Sequence, residues 1–130
     1  IAGHIMSDVE DEVRLFIAAD ARIQELGWIE PMQLRALLCA ADVYVQPGSQ
    51  SATMQMSLCC RCPVVLDDVP SHRVLFNGNG FLVRDAADLT QALATLAKTP
   101  SQQLNCMSAR SAAIAAQLLD YRQLARRLLS

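Results

Sequence analysis

The chain has 130 residues, 52% of them hydrophobic and 18% charged, with a formal net charge of −2. That length suits one domain with a self-sufficient core, the near-neutral charge argues against nucleic-acid or anionic-membrane binding, and no apolar run approaches the roughly 18 residues of a transmembrane span. Five cysteines, an odd number without the two Cys-x-x-Cys pairs of a zinc site, read as buried free thiols in a reducing cytoplasm, with no metal expected.

The chain begins at Ile1 without an initiator Met or a leader, which reads as a piece of a longer protein with Ile1-Ala2-Gly3 a truncated strand. Ser7-Asp8-Val9-Glu10 has the capping-box pattern, and Val9, Val13, Phe16 and Ile17 repeat on one face of a helix predicted to run to about Asp20. Ala21 to Leu26 is a strand candidate ending at Gly27, with Trp28 beyond it, either packing over the sheet edge or walling a pocket. Glu30-Pro31 opens a second helix whose buried stripe is Leu34, Leu37, Leu38 and Ala41.

Val43 to Gln46 is a short β-rich run, Pro47-Gly48 breaks it, Ser49 to Arg61 has no breaker, and Pro63 to Leu66 is a second β-branched run. This is a βαβ unit, and its continuous apolar runs predict a parallel sheet covered on both faces, with Val43, Val45, Val64 and Val65 buried. Asp67 to His72 is a polar turn. Asn77-Gly78-Asn79-Gly80 signals another turn, before a short edge strand from Phe81 to Arg84. Asp85 caps a helix carrying Leu89, Leu93 and Leu96, and Ser101 caps one bearing Leu104 and Met107. Asp120 starts a last helix with Leu124 and Leu128 on one face and Arg122, Arg126 and Arg127 on the others.

In a parallel sheet, the turn leaving a strand's carboxyl end opens into a crevice, and the next helix presents unpaired N–H groups and a positive dipole end there. An anion is the natural occupant. Gly48 admits a ligand close to the backbone, Ser49, Gln50, Ser51 and Thr53 add short polar side chains, and Ser51 and Gln55 share a face. The plainer alternative is that Ser49 or Ser51 only caps the helix. Two histidines and scattered acids assemble no catalytic triad or carboxylate pair, and His4 has no evident role.

Pro47-Gly48-Ser49-Gln50-Ser51, followed by Met54-Gln55-Met56-Ser57-Leu58-Cys59-Cys60-Arg61-Cys62-Pro63-Val64-Val65, resembles the donor-binding half of a group 1 GT-B glycosyltransferase, a two-domain enzyme that uses nucleotide-sugars. Gln24-Glu25-Leu26-Gly27-Trp28-Ile29 upstream, and Asn77-Gly78-Asn79-Gly80-Phe81-Leu82-Val83 downstream, fit the family's order, the latter as a hairpin. The resemblance implies a Rossmann-like three-layer α/β/α fold and an N-terminal acceptor-binding domain elsewhere in the chain, with the first strand of this domain missing. It implies a cytoplasmic location, free or peripheral to the inner membrane through that missing domain, with a nucleotide-sugar as substrate and no cofactor. The donor's nucleotide and diphosphate fall to Gly27, Trp28, Gly48, Ser49, Gln50, Ser51, Ala52, Thr53 and Gln55, and its sugar or phosphate to Asp67, His72 and Arg73. Gln55 stands where the family has an acidic ribose contact, and Arg61 where it has a small residue. Alternatives are a non-catalytic, degenerate nucleotide-sugar-binding or assembly domain, and part of a related nucleotide-sugar epimerase.

Overall fold

The computed structural model describes residues 1–129, which divide into two compact units, one of residues 1–34 and one from Arg35 onward. The first unit holds helix α1 (Glu10–Ala19). The capping box does not form: Val9 N–H bonds to Met6 O at 3.1 Å, the intervening residues make a turn, and the helix starts at Glu10 behind Val9, with no side-chain cap. Glu10, Asp11 and Glu12 still complement the helix dipole, and Arg14 pairs with Glu10 at 2.7 Å and Glu25 at 3.2 Å. The expected apolar stripe is not covered: no α1 residue is buried, and Val9 and Phe16 are exposed.

Ala21 to Leu26 is not a strand. The Asp20 carboxylate takes the Arg22 N–H at 3.0 Å while Ile23 N–H bonds to Asp20 O at 2.9 Å, folding the start of the segment into a turn. Extended pairing survives only as a parallel bridge between Ala2 and Gly27, held by Gly3 N–H to Gly27 O and Leu26 N–H to Ile1 O, both 2.7 Å. Helix α2 (Pro31–Ala40) starts at the proline as predicted, but of its apolar stripe only Leu38 is buried; Leu34 is half-buried, and Leu37 and Ala41 are exposed.

The second unit is built on strands β1 (Tyr44–Gln46), β2 (Val64–Asp67) and β3 (Gly80–Val83), parallel and in that spatial order. Helix α3 (Ala52–Cys59) joins β1 to β2, and a short helix α4 (Pro70–Arg73), with its proline in the first turn, lies between β2 and β3. Asn77 to Gly80 therefore feeds a parallel strand and not a hairpin, and Asp67 to His72 is partly helical. Helices α5 (Ala86–Leu96), α6 (Ser101–Leu118) and α7 (Tyr121–Leu129) follow. Asp85 caps α5 by accepting Asp88 N–H at 2.8 Å, whereas Ser101 is the first residue of α6 behind Pro100 and caps nothing.

Strand side chains alternate between two cores. On one face Val64 and Leu66, flanked by Tyr44 and Leu82, pack with Met54 and Leu58 of α3 and with Ile114 and Ala115 of α6. On the other, Val65 and Val83 pack with Ala92, Leu89 and Leu96 of α5, and Val43 is half-buried beside them. This is the three-layer parallel arrangement expected. Of the four valines expected to be buried only Val64 and Val65 are; Val43 is half-buried, and Val45, paired in register with Val65, is 42% exposed, because α5 lies against β3 at the opposite edge. Cys39, Cys59 and Cys106 are exposed and Cys60 half-exposed, so only Cys62 is the buried thiol that composition suggested for all five. Among the described residues no helix is long and apolar enough to cross a membrane.

Two backbone features fix the ends of this unit's elements. At the end of α3, Arg61 N–H bonds to Leu58 O at 3.0 Å and Cys62 N–H to Ser57 O at 2.9 Å, the paired bonds of a Schellman stop. Arg61 occupies its left-handed position at φ 68°, which is why a small residue suits this place. At the start of β3, a Cβ on Gly80 would fall 1.8 Å from Val64 O, so only glycine lets the strands pair. Beside it Asn79 is fully buried: its Oδ1 accepts Asn77 N–H at 2.9 Å and its Nδ2 donates to Ser111 Oγ at 3.1 Å. Ser111 in turn donates to Cys62 O at 2.6 Å, tying α6 to both the β2 and β3 approaches.

Candidate functional site

Because the three strands are parallel, the carboxyl ends at Gln46, Asp67 and Val83 lie along one edge of the sheet, and the segments leaving them share that edge. The first of these carries the densest polar constellation. Ser51 is the N-cap of α3, extended at φ −135° and ψ 160°, and its Oγ accepts Met54 N–H at 3.0 Å. The same hydroxyl donates to Gln46 Oε1 at 2.9 Å, which also receives the Tyr44 hydroxyl, while Gln46 Nε2 donates to Ser49 O at 3.3 Å. Gln46 thus orders the whole turn. Sequence reading missed both it and Tyr44, because a strand-end glutamine gives no signal until its turn partners are known. Burial pushes the Tyr44 phenol up, keeping it a neutral donor.

Ser51 is the helix cap, with its hydroxyl engaged on both sides. Capping takes the third N–H of the helix; those of Ala52 and Thr53 have no intrahelical acceptor, since the first full-turn bond is Gln55 N–H to Ser51 O at 3.3 Å. Ala52 is exposed, and Thr53 and Gln55 are half-buried. Ahead of them, Ser49 and Gln50 are exposed and Gly48 is half-buried. A Cβ on Gly48 would meet nothing within 4 Å, and its φ is not left-handed, so neither sterics nor backbone within the chain requires glycine there.

The second segment departs from a solvated loop. His72 is only 1% exposed: its Nδ1 faces Asp67 O at 3.0 Å, a carbonyl that can only accept, so Nδ1 carries a proton. Its Nε2 is buried with no partner among the described residues. Arg73 reaches back through Nε to Asp68 Oδ1 at 2.6 Å, and Arg84 pairs with Asp88 at 2.7 Å. The Arg73 hydrogen bond holds the Asp68 carboxyl below the usual carboxylate range, with Arg73 and Arg84 charge adding to it. Asp67 is half-buried at the end of β2.

In the first unit, Gly27 adopts φ +60° and Trp28 is 74% exposed, so the indole is not buried within this unit. The indole stacks instead on His4, centroids 5.9 Å apart at 22°, giving His4 a contact that its sequence position did not foretell. Among the described residues no group of three or more His, Cys, Asp or Glu side chains is arranged to hold a metal ion.

A parallel α/β unit with a capped helix start at the carboxyl end of its first strand defines a Rossmann-like fold of the GT-B type. The family described as glycosyl transferases group 1 matches residues 1–99, and the chain belongs to it. Among solved structures, HepE of Anabaena, determined with UDP, is similar at a TM-score of 0.75 and 21% identity, over 98% of this chain and 39% of its own. The pneumococcal O-GlcNAc transferase GtfA, determined with UDP and GlcNAc, is similar at 0.67 and 21% identity, over 93% of this chain and 28% of its own. The chain therefore spans well under half the length of either. No curated relative matches it.

Proposed function

We propose that this chain is the donor-binding part of a glycosyltransferase that takes its sugar from a nucleotide-sugar, the acceptor site lying on an N-terminal domain of a longer cytoplasmic protein. The observation that carries the proposal is the start of α3, where Ala52 and Thr53 N–H groups lack helical partners beside a Gly48 whose Cβ position is open. Family membership and two similar folds solved with UDP support it.

In this reading the N–H groups of Ala52 and Thr53, with Gly48, Ser49 and Gln50 around them, hold the diphosphate. Ser51, capping the helix and tied to Gln46, sets the position of these groups beside the diphosphate. Gln55, one turn along α3, takes a ribose hydroxyl with an amide in place of a carboxylate. Asp67 and the His72 segment border the sugar. Arg73 contributes by orienting Asp68 unless a phosphate displaces that pair. Catalysis follows by positioning: the helix start stabilises the negative charge that grows on the diphosphate as the glycosidic bond breaks, and no metal or cofactor is required for that role.

Calorimetry with nucleoside diphosphates and monophosphates tests this. A diphosphate should bind at least about tenfold tighter than the matching monophosphate, the difference of roughly 1.4 kcal/mol expected for a charge-assisted contact. Equal affinities, or no binding of either, would remove the helix start as a diphosphate site.

A further inference from the structure

The last turn of α2 and the end of α3 bring thiols together. Cys60 C-caps α3, and its Sγ lies 4.0 Å from the carbonyl oxygen of Arg35, one helical turn before Cys39. Two residues on, Cys62 Sγ donates to Leu38 O at 3.1 Å. Both sulfurs thus sit against the helical turn that carries Cys39. Cys39 is exposed and Cys60 half-exposed, whereas Cys62 is buried with its thiol engaged.

We propose that Cys39 and Cys60 form a dithiol modification site, which low-molecular-weight disulfides of the glutathione class convert to an intrachain disulfide. The exposed Cys39 thiolate attacks one sulfur of the oxidised reagent, forming a mixed disulfide and releasing one thiolate, which takes up a proton. Cys60 then loses its proton to solvent and attacks Cys39 Sγ, displacing the second reagent thiol. Two protein thiols are oxidised and one reagent disulfide is reduced to two thiols. Burial, followed by the Cys39 side chain, holds the Cys60 thiol up at about 11, so ring closure is the slower step. The bond closes a loop containing β1, the turn and α3, so the proposed diphosphate segment lies wholly within it.

The test is incubation of the full chain with oxidised glutathione, blocking with iodoacetamide, and digestion with chymotrypsin, which cuts after Tyr44 and separates the two cysteines. Mass spectrometry should show the two fragments joined in the wild type and in Cys59→Ser and Cys106→Ser. Cys60→Ser should stop at glutathionylated Cys39. Ring closure should accelerate about tenfold between pH 7.5 and 8.5, because the thiolate fraction of a group far below its pKa rises tenfold per unit. A linkage that persists in Cys60→Ser, a bond from Cys39 to Cys59, or a wild-type mixed disulfide that never closes would each overturn the proposal.

Discussion

Replacing Arg61 by glycine should stabilise the protein. Arg61 is exposed, follows the C-cap of α3, and holds φ 68° so that its own N–H and that of Cys62 reach Leu58 O and Ser57 O. A side chain with a Cβ costs about 1–2 kcal/mol in this conformation, whereas glycine adopts it freely. Glycine also widens the unfolded ensemble, which takes back about 0.4–1 kcal/mol. The net gain is about 0.5–1 kcal/mol, or roughly 2–5 °C in melting temperature for a chain of this size. Urea unfolding followed by far-UV circular dichroism would measure it, with Arg61→Ala as the control. Alanine keeps the Cβ and should leave stability within about 0.5 kcal/mol of wild type. If glycine destabilised the protein, or alanine gave the same gain, backbone strain at Arg61 would not be the cause.

The opposite holds at Gly80→Ala, where the new methyl meets Val64 O at 1.8 Å; the strands must part, and a loss above about 3 kcal/mol or failure to fold is expected in the same unfolding assay. Ser111→Ala leaves Cys62 O and Asn79 Nδ2 short of a partner in a buried setting and should cost about 1–3 kcal/mol, read as a lower urea midpoint without a change in slope. Stability should also fall as pH rises from about 9 toward 11, because the Cys60 and Cys62 thiols, normally near 9.0, are pushed up to about 11 in the folded chain, chiefly by burial. The unfolded chain then releases protons first and is favoured, so urea midpoints at pH 8 and pH 10.5 should differ less in Cys62→Ala than in wild type.

The central βαβ unit was legible because its signals are local: two apolar runs, a Pro-Gly break and a Ser-rich helix start. What the sequence hid depends on contacts between distant residues. Val45 looks as buried as Val65 in a β-branched run, but burial depends on whether α5 reaches that edge. The Ser7 capping box and the Ala21–Leu26 strand both failed where a competing turn captured the same backbone groups, at Met6–Val9 and Asp20–Ile23. Asn77 to Gly80 carried the right turn chemistry, yet a hairpin and a parallel entry use the same residues. Only the approach of Gly80 to Val64 distinguishes them. In the candidate site Ser51 was identifiable by type and position, whereas Gln46, which orients it, and His72, which is buried, became visible only with their partners.

The most direct test of a diphosphate held at the start of α3 is amide chemical-shift mapping during titration with a nucleoside diphosphate, run on wild type and on Gly48→Ala. The largest shifts should fall on Gly48, Ala52 and Thr53. The added methyl, which touches nothing in the free protein, should leave melting temperature unchanged or slightly raised while weakening binding about tenfold. Shifts confined to other segments, or undiminished affinity in Gly48→Ala with the same shift pattern, would contradict a ligand lying against this turn.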